Sequence, residues 1–458
     1  MAMRQKCYTR AVLLLLVVLL GAFVFTMWFG MNSDKDNIYP IVTQLIPAGH
    51  CTCEHSTTFN CTSCLAPFDY PISTTPEPPR WAFQYRRDDR NEGLSRSQCQ
   101  AAFPGLFEDV NRAVQFWKPQ GGITRKQLDK IKLQKGMARG MIYGGELYVI
   151  ETRAAQDDHR RKILAIFSSI HRAISADCGN LPDIEFTFSI EDRLDDIKGN
   201  GQPLWTLARK ASEESVWLMP DFGFWAWHNP GVVIGPYSEV VEKIKKREEA
   251  IPWASKERKL VWRGNLGYAP KLRRKLLEVA KGKTWGDVKE LVWSRKSNLI
   301  SMENHCQYMF IAHVEGRAFS SSLKYRQACR SVVVTHKLQF IQHHHYLLQA
   351  DGPRQNYVEV ERDFSDLEEK MEALLHDEEH AKLIADNSVK AFRERYLTKA
   401  AEACYWRELI NGWGIVFSNS GNGVEPEAPG VLGPAWGTRY ESFILLESKN
   451  MMEFSHPS

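Results

Sequence analysis

Residues 309–335, MFIAHVEGRAFSSSLKYRQACRSVVVT, have the pattern of a strand, a glycine turn, a helix and a second strand in immediate succession. Residues 310–314 are typical of a buried strand, residues 320–329 contain helix formers, and residues 332–334 are all valine. A strand that ends near Gly316 and continues into a helix leaves backbone N–H groups and the positive end of the helix dipole at one point. The stretch therefore predicts a βαβ unit with a site that suits an anion, and a diphosphate above all.

Two basic residues of the same stretch, Lys324 and Arg326, fall inside the predicted helix and are positioned to supplement the backbone donors. The alternative is an ordinary βαβ crossover with solvated basic side chains, because the glycine pattern is much looser than a dinucleotide fingerprint. The stretch by itself leaves both interpretations open.

The order of motifs around this stretch resembles glycosyltransferase family 90, the group of capsule-associated proteins and protein O-glucosyltransferases. The resemblance spans roughly residues 180–410, and the tail at 440–443 is similar to fungal members. Ser322 departs from the family pattern, since members usually have an arginine two residues before the lysine. The matching motifs are Val261-Trp262-Arg263-Gly264-Asn265, His305-Cys306-Gln307-Tyr308, Glu315-Gly316, Ser320, Lys324-Tyr325, Cys329, Cys404-Tyr405-Trp406 and Tyr440-Glu441-Ser442-Phe443.

The resemblance implies a GT-B-like α/β fold with two Rossmann-like domains and a cleft between them. It also implies an inverting transfer from a UDP-sugar. Nothing in the sequence requires a metal or another cofactor for this transfer. Asp192 occupies the position of the family's catalytic aspartate. The donor-binding positions that the resemblance implies are Arg263, Gly264, Asn265, Glu315, Gly316, Ser320 and Lys324.

The residues themselves support part of this assignment. Residues 184–190 alternate as a strand, and Glu191 and Asp192 follow at its carboxyl end, where α/β sheets place ligands. Without the resemblance, solvated charges at a strand end are the better interpretation. Arg263 also ends a predicted strand, and its alternative is a surface cation.

Residues 11–31, AVLLLLVVLLGAFVFTMWFGM, are uncharged and long enough to cross a bilayer as a helix. Basic residues precede this run, so the positive-inside rule predicts a cytosolic N-terminus and a luminal remainder. A cleaved signal peptide is the alternative, although the apolar run of a signal peptide should be shorter and end in small residues.

Ten cysteines occur in the chain, and nine of them follow the predicted anchor, in a compartment where disulfides persist. The cluster at Cys51, Cys53, Cys61 and Cys64 has the composition of a zinc site, but its spacing and location favour disulfides. Asn60 begins an N-glycosylation sequon. The family resemblance implies that Cys306 pairs with Cys329 and that Cys404 pairs with one cysteine of the 51–64 cluster.

Helical and strand patterns alternate after a proline-rich linker, so the sequence predicts an α/β catalytic unit in two halves. A helix is expected near residues 338–348. The net charge of +4 gives no reason to propose nucleic acid as a partner. The predicted division is a cytosolic tail at 1–10, an anchor at 11–31, a luminal stem at 32–95, an acceptor-side domain at 96–255, a donor-nucleotide domain at 256–397, and a C-terminal helix and tail at 398–458 that return to the first domain.

A group of tryptophans and a run of histidines are interpreted as structural residues without a binding role. The tryptophans at 217, 225 and 227 are more typical of core packing than of a sugar-binding platform. The run at 343–345 consists of three adjacent histidines, which point in different directions on a helix and cannot easily chelate one ion. No metal site is predicted.

Taken together, the sequence predicts a single-pass type II glycosyltransferase of the Golgi or endoplasmic reticulum membrane. It would transfer xylose or glucose from a UDP-sugar to a hydroxyl of a glycan or glycoprotein, with Asp192 as the base. The second hypothesis is a catalytically silent luminal carbohydrate-binding protein that retains the transferase fold. Binding of UDP together with hydrolysis of the donor would separate the two hypotheses.

Overall fold

A computed structural model describes the chain over residues 81–177, 179–193, 201–229, 232–292, 294, 298–418 and 437–453. All of these residues belong to one compact unit, residues 51–458. The predicted anchor, Asn60 and the cysteine cluster at 51–64 lie outside the described residues. Over the described ranges, none of the helices combines the length and the apolar character that crossing a bilayer requires.

The first half of the described chain contains both helices and short strands. Its α-helices are α1 (Arg96–Ala102), α2 (Glu108–Trp117), α3 (Arg125–Asp129), α4 (Asp157–Ser175) and α5 (Tyr237–Ala250). Its strands are β1 (Ile123–Thr124), β2 (Met137–Tyr143), β3 (Glu146–Arg153), β4 (Ile184–Ser189), β5 (Trp205–Thr206), β6 (Arg209–Lys210), β7 (Trp217–Leu218), β8 (His228–Asn229) and β9 (Val232–Val233). Short 3₁₀ segments occur at Lys118–Gln120, Phe222–Phe224 and Trp253–Ser255.

The second half has longer parallel strands. Its strands, with those of the C-terminal segment, are β10 (Glu257–Gly264), β11 (Gly286–Glu290), β12 (Tyr308–His313), β13 (Val332–His336), β14 (Phe340–Ile341), β15 (Val358–Val360), β16 (Phe417–Ser418) and β17 (Thr438–Arg439). The α-helices are α6 (Pro270–Ala280), α7 (Leu323–Gln327), α8 (Leu367–His376), α9 (Glu378–Ser388), α10 (Lys399–Val416) and α11 (Tyr440–Glu453). Glu303–Gln307 and His345–Leu347 are 3₁₀ helices, and Val389–Tyr396 is a π-helix.

Five strands of the first half and β17 of the C-terminal segment form a mixed sheet in the order β17-β3-β2-β4-β5-β7. Strand β2 is antiparallel to β3 and β4, whereas β4, β5 and β7 run parallel. Gly140 on β2 allows close packing here, because a Cβ atom at this position would lie 2.8 Å from the ring of Phe186 and 2.9 Å from that of Phe167. The sheet is mixed in direction, so a Rossmann-like first domain stays a prediction.

Five strands of the second half form a fully parallel sheet in the order β11-β10-β12-β13-β15. Every residue of β12 and β13 is buried, which explains why both strands read as continuous apolar runs. Helices flank this sheet, and its core is separate from that of the first sheet. The predicted parallel α/β arrangement is therefore confirmed for this half.

The quoted stretch forms the predicted strand, helix and strand, but its helix is shorter than expected. Helix α7 has five residues, compared with the ten predicted at 320–329. The preceding serines form a turn, in which the Leu323 N–H donates to the Ser320 carbonyl at 3.1 Å. The hydroxyls of Ser320 and Ser322 bond to each other at 2.9 Å, and Ser322 does not cap the helix with its side chain.

The helix predicted near residues 338–348 is wrong. The segment instead forms β14, which pairs antiparallel with β6 of the first half, followed by a 3₁₀ turn. The physical reason is Glu315, whose carboxylate accepts the N–H groups of Gln339 at 2.8 Å and Phe340 at 2.9 Å. These hydrogen bonds hold the segment extended. Glu315 lies 24 and 25 residues before its two partners, so local helix propensity does not reveal the contact.

Two disulfides lie within the described residues. Cys306 and Cys329 are bonded, which is the pairing that the family resemblance implies, and they join the segment before β12 to the end of the crossover. The pairing expected for Cys404 is wrong, because its partner is Cys99. Cys99 lies on α1, which packs against α10 and brings the two Cα atoms to 5.6 Å.

Helix α10 packs against the first half, and most of its residues are buried. Trp406 and Trp413 belong to the core of the first sheet, where Trp413 meets Trp205 edge to face at 5.6 Å. Helix α10 therefore completes a core that begins more than 300 residues earlier. The individual domain boundaries stay predictions.

Candidate active site

Several predicted donor residues meet at the carboxyl edge of the parallel sheet. Gly264 ends β10 and Asn265 follows it. Glu315 and Gly316 follow β12, and parallel strands place these ends at one edge. Arg273 of α6 joins the two loops. Its Nη1 donates to the Asn265 carbonyl at 2.6 Å and its Nε donates to the Glu315 carbonyl at 3.1 Å.

Arg273 was not singled out from the sequence, and its environment is unusual for a cation. The side chain is 7% exposed, and no carboxylate of the described residues pairs with it. Burial lowers the pKa of its guanidinium to about 10. A Cβ atom at position 316 would lie 3.2 Å from Nη2, so Gly316 leaves the space beside this nitrogen open.

Arg326 is a second buried guanidinium near this edge. Its Nη1 donates to the Ala312 carbonyl at 2.6 Å and lies 3.2 Å from Nδ1 of His313. Burial, and then the positive charge of Arg273, lowers the pKa of Arg326 to about 9. Like Arg273, it has no carboxylate partner among the described residues. A buried unpaired charge is unfavourable by several kcal/mol, so two adjacent ones favour the arrival of an anion.

The histidines of this region are held neutral. Burial lowers the pKa of His313 and of His336, and it lowers that of His345 to about 3. Nε2 of His336 accepts the Glu315 N–H at 3.1 Å, so the neutral ring carries its proton on Nδ1 and donates it to the Lys337 carbonyl. The imidazoles therefore carry no charge, and the positive charge at this edge belongs to the arginines.

Both oxygens of the Glu315 carboxylate are hydrogen-bonded within the protein. One oxygen accepts the two backbone N–H groups of the β14 segment, and the other accepts Nη1 of Arg362 at 2.8 Å. The side chain is 1% exposed. Glu315 thus shapes the edge by fixing the segment of residues 337–341, while its main chain contacts Arg273.

Arg263 lies beside the edge and is ion-paired. Its Nη2 is 2.7 Å from Oδ2 of Asp287 on the neighbouring strand, and Nη1 bonds the Asp287 carbonyl. Tyr308 and Lys289 also bond this carboxylate, at 2.8 and 2.7 Å. Burial alone would raise the pKa of Asp287, but these three donors lower it to about 2.

Lys324 and Ser320, also predicted donor residues, occupy different environments. Lys324 is 1% exposed, and its Nζ contacts both carboxylate oxygens of Asp221, at 2.7 and 2.8 Å. The rings of Tyr325, Phe224 and Trp227 surround the ammonium at 4.7–5.7 Å. Burial lowers the pKa of Lys324. Lys324 thus links the two halves of the chain, whereas the hydroxyl of Ser320 bonds Ser322.

Asp192 lies on the other sheet, just beyond the carboxyl end of β4, and is exposed. Its neighbour Glu191 is partly buried, 3.7 Å from Nε2 of His159. Gly136 accommodates this glutamate, because a Cβ atom there would lie 2.7 Å from Oε1 of Glu191. The more accessible of the two adjacent carboxylates is therefore the one predicted as the base.

The histidine run at 343–345 is packed in the interior. His343 and His344 are 3% and 1% exposed, and their rings lie against those of Tyr405 and Phe392. Burial lowers the pKa of His343 to about 3. Over the described ranges, His, Cys, Asp and Glu side chains form no group suited to hold a metal ion.

Comparisons with known proteins agree with the motif order. The model of glycosyl transferase family 90 matches residues 95–421. The O-glucosyltransferase rumi homolog of Aedes aegypti is 23% identical over 317 residues, which are 64% of this chain and 74% of that protein. The O-glucosyltransferase rumi of Drosophila pseudoobscura pseudoobscura is 24% identical over 305 residues, 61% and 73% of the two chains. The O-glucosyltransferase rumi of Drosophila melanogaster is 27% identical over 173 residues, which are 33% of this chain and 41% of that protein.

Proposed function

Because the chain belongs to glycosyl transferase family 90 and is thus a glycosyltransferase, we propose that its donor is a UDP-sugar bound at the carboxyl edge of the parallel sheet. The observation that carries this proposal is the pair of buried guanidiniums, Arg273 and Arg326, which lack a carboxylate partner among the described residues. A diphosphate supplies the missing negative charge and accepts charge-assisted hydrogen bonds.

The relatives support a choice of sugar for this proposal. Curated relatives are named O-glucosyltransferases, which supports glucose as the sugar, and UDP-xylose is the second donor to test. The acceptor is a hydroxyl group of a glycan or glycoprotein. The proposed placement is luminal, in the Golgi or endoplasmic reticulum, behind the anchor at 11–31 and with a glycan on Asn60.

The proposed reaction inverts the anomeric centre and uses this chain's residues in separate roles. Asp192 takes the proton from the acceptor hydroxyl as the oxygen attacks the anomeric carbon from the face opposite the diphosphate. The bond from that carbon to the acceptor oxygen forms while its bond to the phosphate oxygen breaks. Arg273 and Arg326 stabilise the negative charge that accumulates on the departing UDP.

A direct experiment uses the full-length chain with a panel of UDP-sugars. We expect UDP to bind in calorimetric titration, and at least one UDP-sugar to be hydrolysed slowly and transferred faster when acceptor is present. Absence of both UDP binding and donor turnover would reject the proposal and favour the catalytically silent carbohydrate-binding protein.

The placement has its own test. In sealed microsomes that contain the full chain, the portion after residue 31 should resist added protease until detergent is supplied. Removal of N-glycans should increase the mobility of the wild-type chain more than that of an Asn60→Gln variant. Degradation without detergent would reject the luminal orientation.

A further inference from the structure

Two cavities of the folded chain share a wall formed by Trp225 and Arg172. The larger has a volume of about 620 Å³ and the smaller about 470 Å³. Their described lining residues come from helices α4, α5 and α10 and from nearby segments, and none follows β10, β12 or β13 at the carboxyl edge. The cavities are thus separate from the candidate donor site.

Trp225 differs from the tryptophans packed in the core. It is 38% exposed, whereas Trp217 is completely buried. Its backbone N–H donates to the Phe222 carbonyl at 3.1 Å, which fixes the backbone from which the side chain extends. The guanidinium of Arg172 lies 5.0 Å from the ring centre. The ring is therefore held in place while part of its surface stays open.

Arg172 is itself held by two carboxylates. Its Nε lies 2.8 Å from Glu92, which lines the smaller cavity, and its Nη2 lies 2.6 Å from Glu402, which lines the larger one. The shared wall thus consists of an aromatic ring and a planar cation, each fixed by neighbours. Such a wall presents a rigid platform to both cavities.

Two residues that line the larger cavity carry polar atoms whose hydrogen-bonding capacity is not used. Tyr237 is 3% exposed and Glu402 is 4% exposed. Tyr237 Oη and Glu402 Oε1 are buried and have no hydrogen-bond partner among the described residues. Leaving such groups unpaired is unfavourable. A ligand with several hydroxyl groups can donate to the carboxylate and exchange a hydrogen bond with the phenol.

Most of the charged side chains that line the larger cavity are already ion-paired, which favours an uncharged ligand. Glu242 on the rim already contacts Arg90 and Lys245, each at 3.1 Å, and the carboxylates on Arg172 neutralise that cation. A cation or an anion would therefore have to compete with existing pairs. The C–H face of a sugar ring suits the electron-rich face of a tryptophan, and both volumes lie in the range of small-molecule sites.

We propose that Trp225 and Arg172 form the centre of a groove that binds a neutral oligosaccharide, with one sugar ring in each cavity. This groove is a glycan-binding site in addition to the donor site. It would hold a glycan remote from the reacting hydroxyl. Its existence does not depend on UDP being the donor.

The test uses the full-length chain without any UDP-sugar. Maltotetraose, xylotetraose and mannotetraose are titrated separately, with binding followed by saturation-transfer NMR and calorimetry. We expect at least one tetrasaccharide to bind. Its affinity should fall at least about tenfold in Trp225→Ala, because the stacking surface is lost, and by less in Trp225→Phe, which keeps an aromatic ring.

Two control variants separate this site from other effects. Ile415→Ala removes an exposed apolar side chain that lines neither cavity, and it should bind the tetrasaccharide like the wild type. Arg273→Met should lose UDP affinity and keep tetrasaccharide affinity. The proposal is overturned if the wild type binds none of the three tetrasaccharides, or if a folded Trp225→Ala variant binds as tightly as the wild type.

Discussion

The ammonium of Lys324 contacts both carboxylate oxygens of Asp221, at 2.7 and 2.8 Å, and each side chain is 1% exposed. The two residues are 103 positions apart, and they join the parallel-sheet half to the first half. A buried pair of this kind is costly to break from one side only, because the remaining charge is left uncompensated.

The first prediction concerns this pair and uses a double-mutant cycle. Lys324→Met and Asp221→Asn should each lower the free energy of unfolding by about 3–5 kcal/mol. The double variant should lose clearly less than the sum, since neither charge is then left alone. Denaturant titration measures all four proteins. Lys370→Met, which removes an exposed partner of Asp366, serves as the control and should change little. Additive losses would contradict a direct pair.

The second prediction separates binding from stability at Arg273. Arg273→Met removes a buried cation that has no carboxylate partner among the described residues, which favours folding, but it also removes two hydrogen bonds to backbone carbonyls, so the free energy of unfolding should change little. Affinity for UDP should fall by roughly 1.5–3 kcal/mol for each charge-assisted bond lost. Calorimetry and denaturant titration measure the two effects. The adjacent Arg274 is exposed, and Arg274→Met is the matched control that should leave both unchanged. Normal UDP affinity in Arg273→Met would place the donor elsewhere.

The third prediction concerns Arg263 and pH. The pKa of Asp287 is lowered to about 2 in the folded state, compared with an ordinary value of 3.8. A lowered pKa gives stability that is present above about pH 4 and is lost as the pH falls towards 2. Unfolding curves from pH 6 to pH 2 should therefore show a smaller acid-dependent loss in Asp287→Asn than in the wild type.

The same pair predicts the effect of changing the arginine. Arg263→Met leaves the carboxylate without its main partner, so it should destabilise the fold at neutral pH and raise the pKa of Asp287. Arg263 thus differs from Arg273, whose loss should spare stability. If Arg263→Met is as stable as the wild type and only UDP binding falls, Arg263 is a direct donor ligand that leaves Asp287 when UDP binds.

The fourth prediction tests the base. Asp192→Asn keeps the size of the side chain but removes the proton acceptor, so turnover should fall by about a hundredfold or more while UDP affinity stays the same. Glu191→Gln is the control, since this neighbour is partly buried beside His159 and should have a far smaller effect on turnover. Steady-state rates with the donor that the panel selects give the answer. Normal turnover in Asp192→Asn would reject the assignment.

The centre of the parallel sheet was predictable because β12 and β13 are buried throughout and read as apolar runs, of which Val332 to Val334 is an example. The extended path of residues 338–348 could not be predicted, because the carboxylate that holds the segment belongs to Glu315 on another loop. The partner of Cys404 depended on the packing of α1 against α10, which no local pattern reveals.

The candidate site was also only partly predictable from local sequence patterns. Gly264, Asn265 and Gly316 could be placed at one edge because parallel strands align their carboxyl ends. Arg273 was missed within the basic run KLRRK, although it shares the buried face of α6 with Leu276 and Ala280 at helical spacing. A cation on the apolar face of a helix was the available signal. The pairing of Lys324 with Asp221 required the folded chain.

The disulfide between Cys99 and Cys404 sets an order for biosynthesis. Its cysteines are 305 residues apart, so the second one is synthesised roughly 15–60 seconds after the first. Until then, the core of the first sheet also lacks the tryptophans of α10. The parallel sheet, although later in sequence, can close first. Cys99 must stay reduced, or be released by thiol exchange from the nearer cysteines at 51–64, before the first half can be completed.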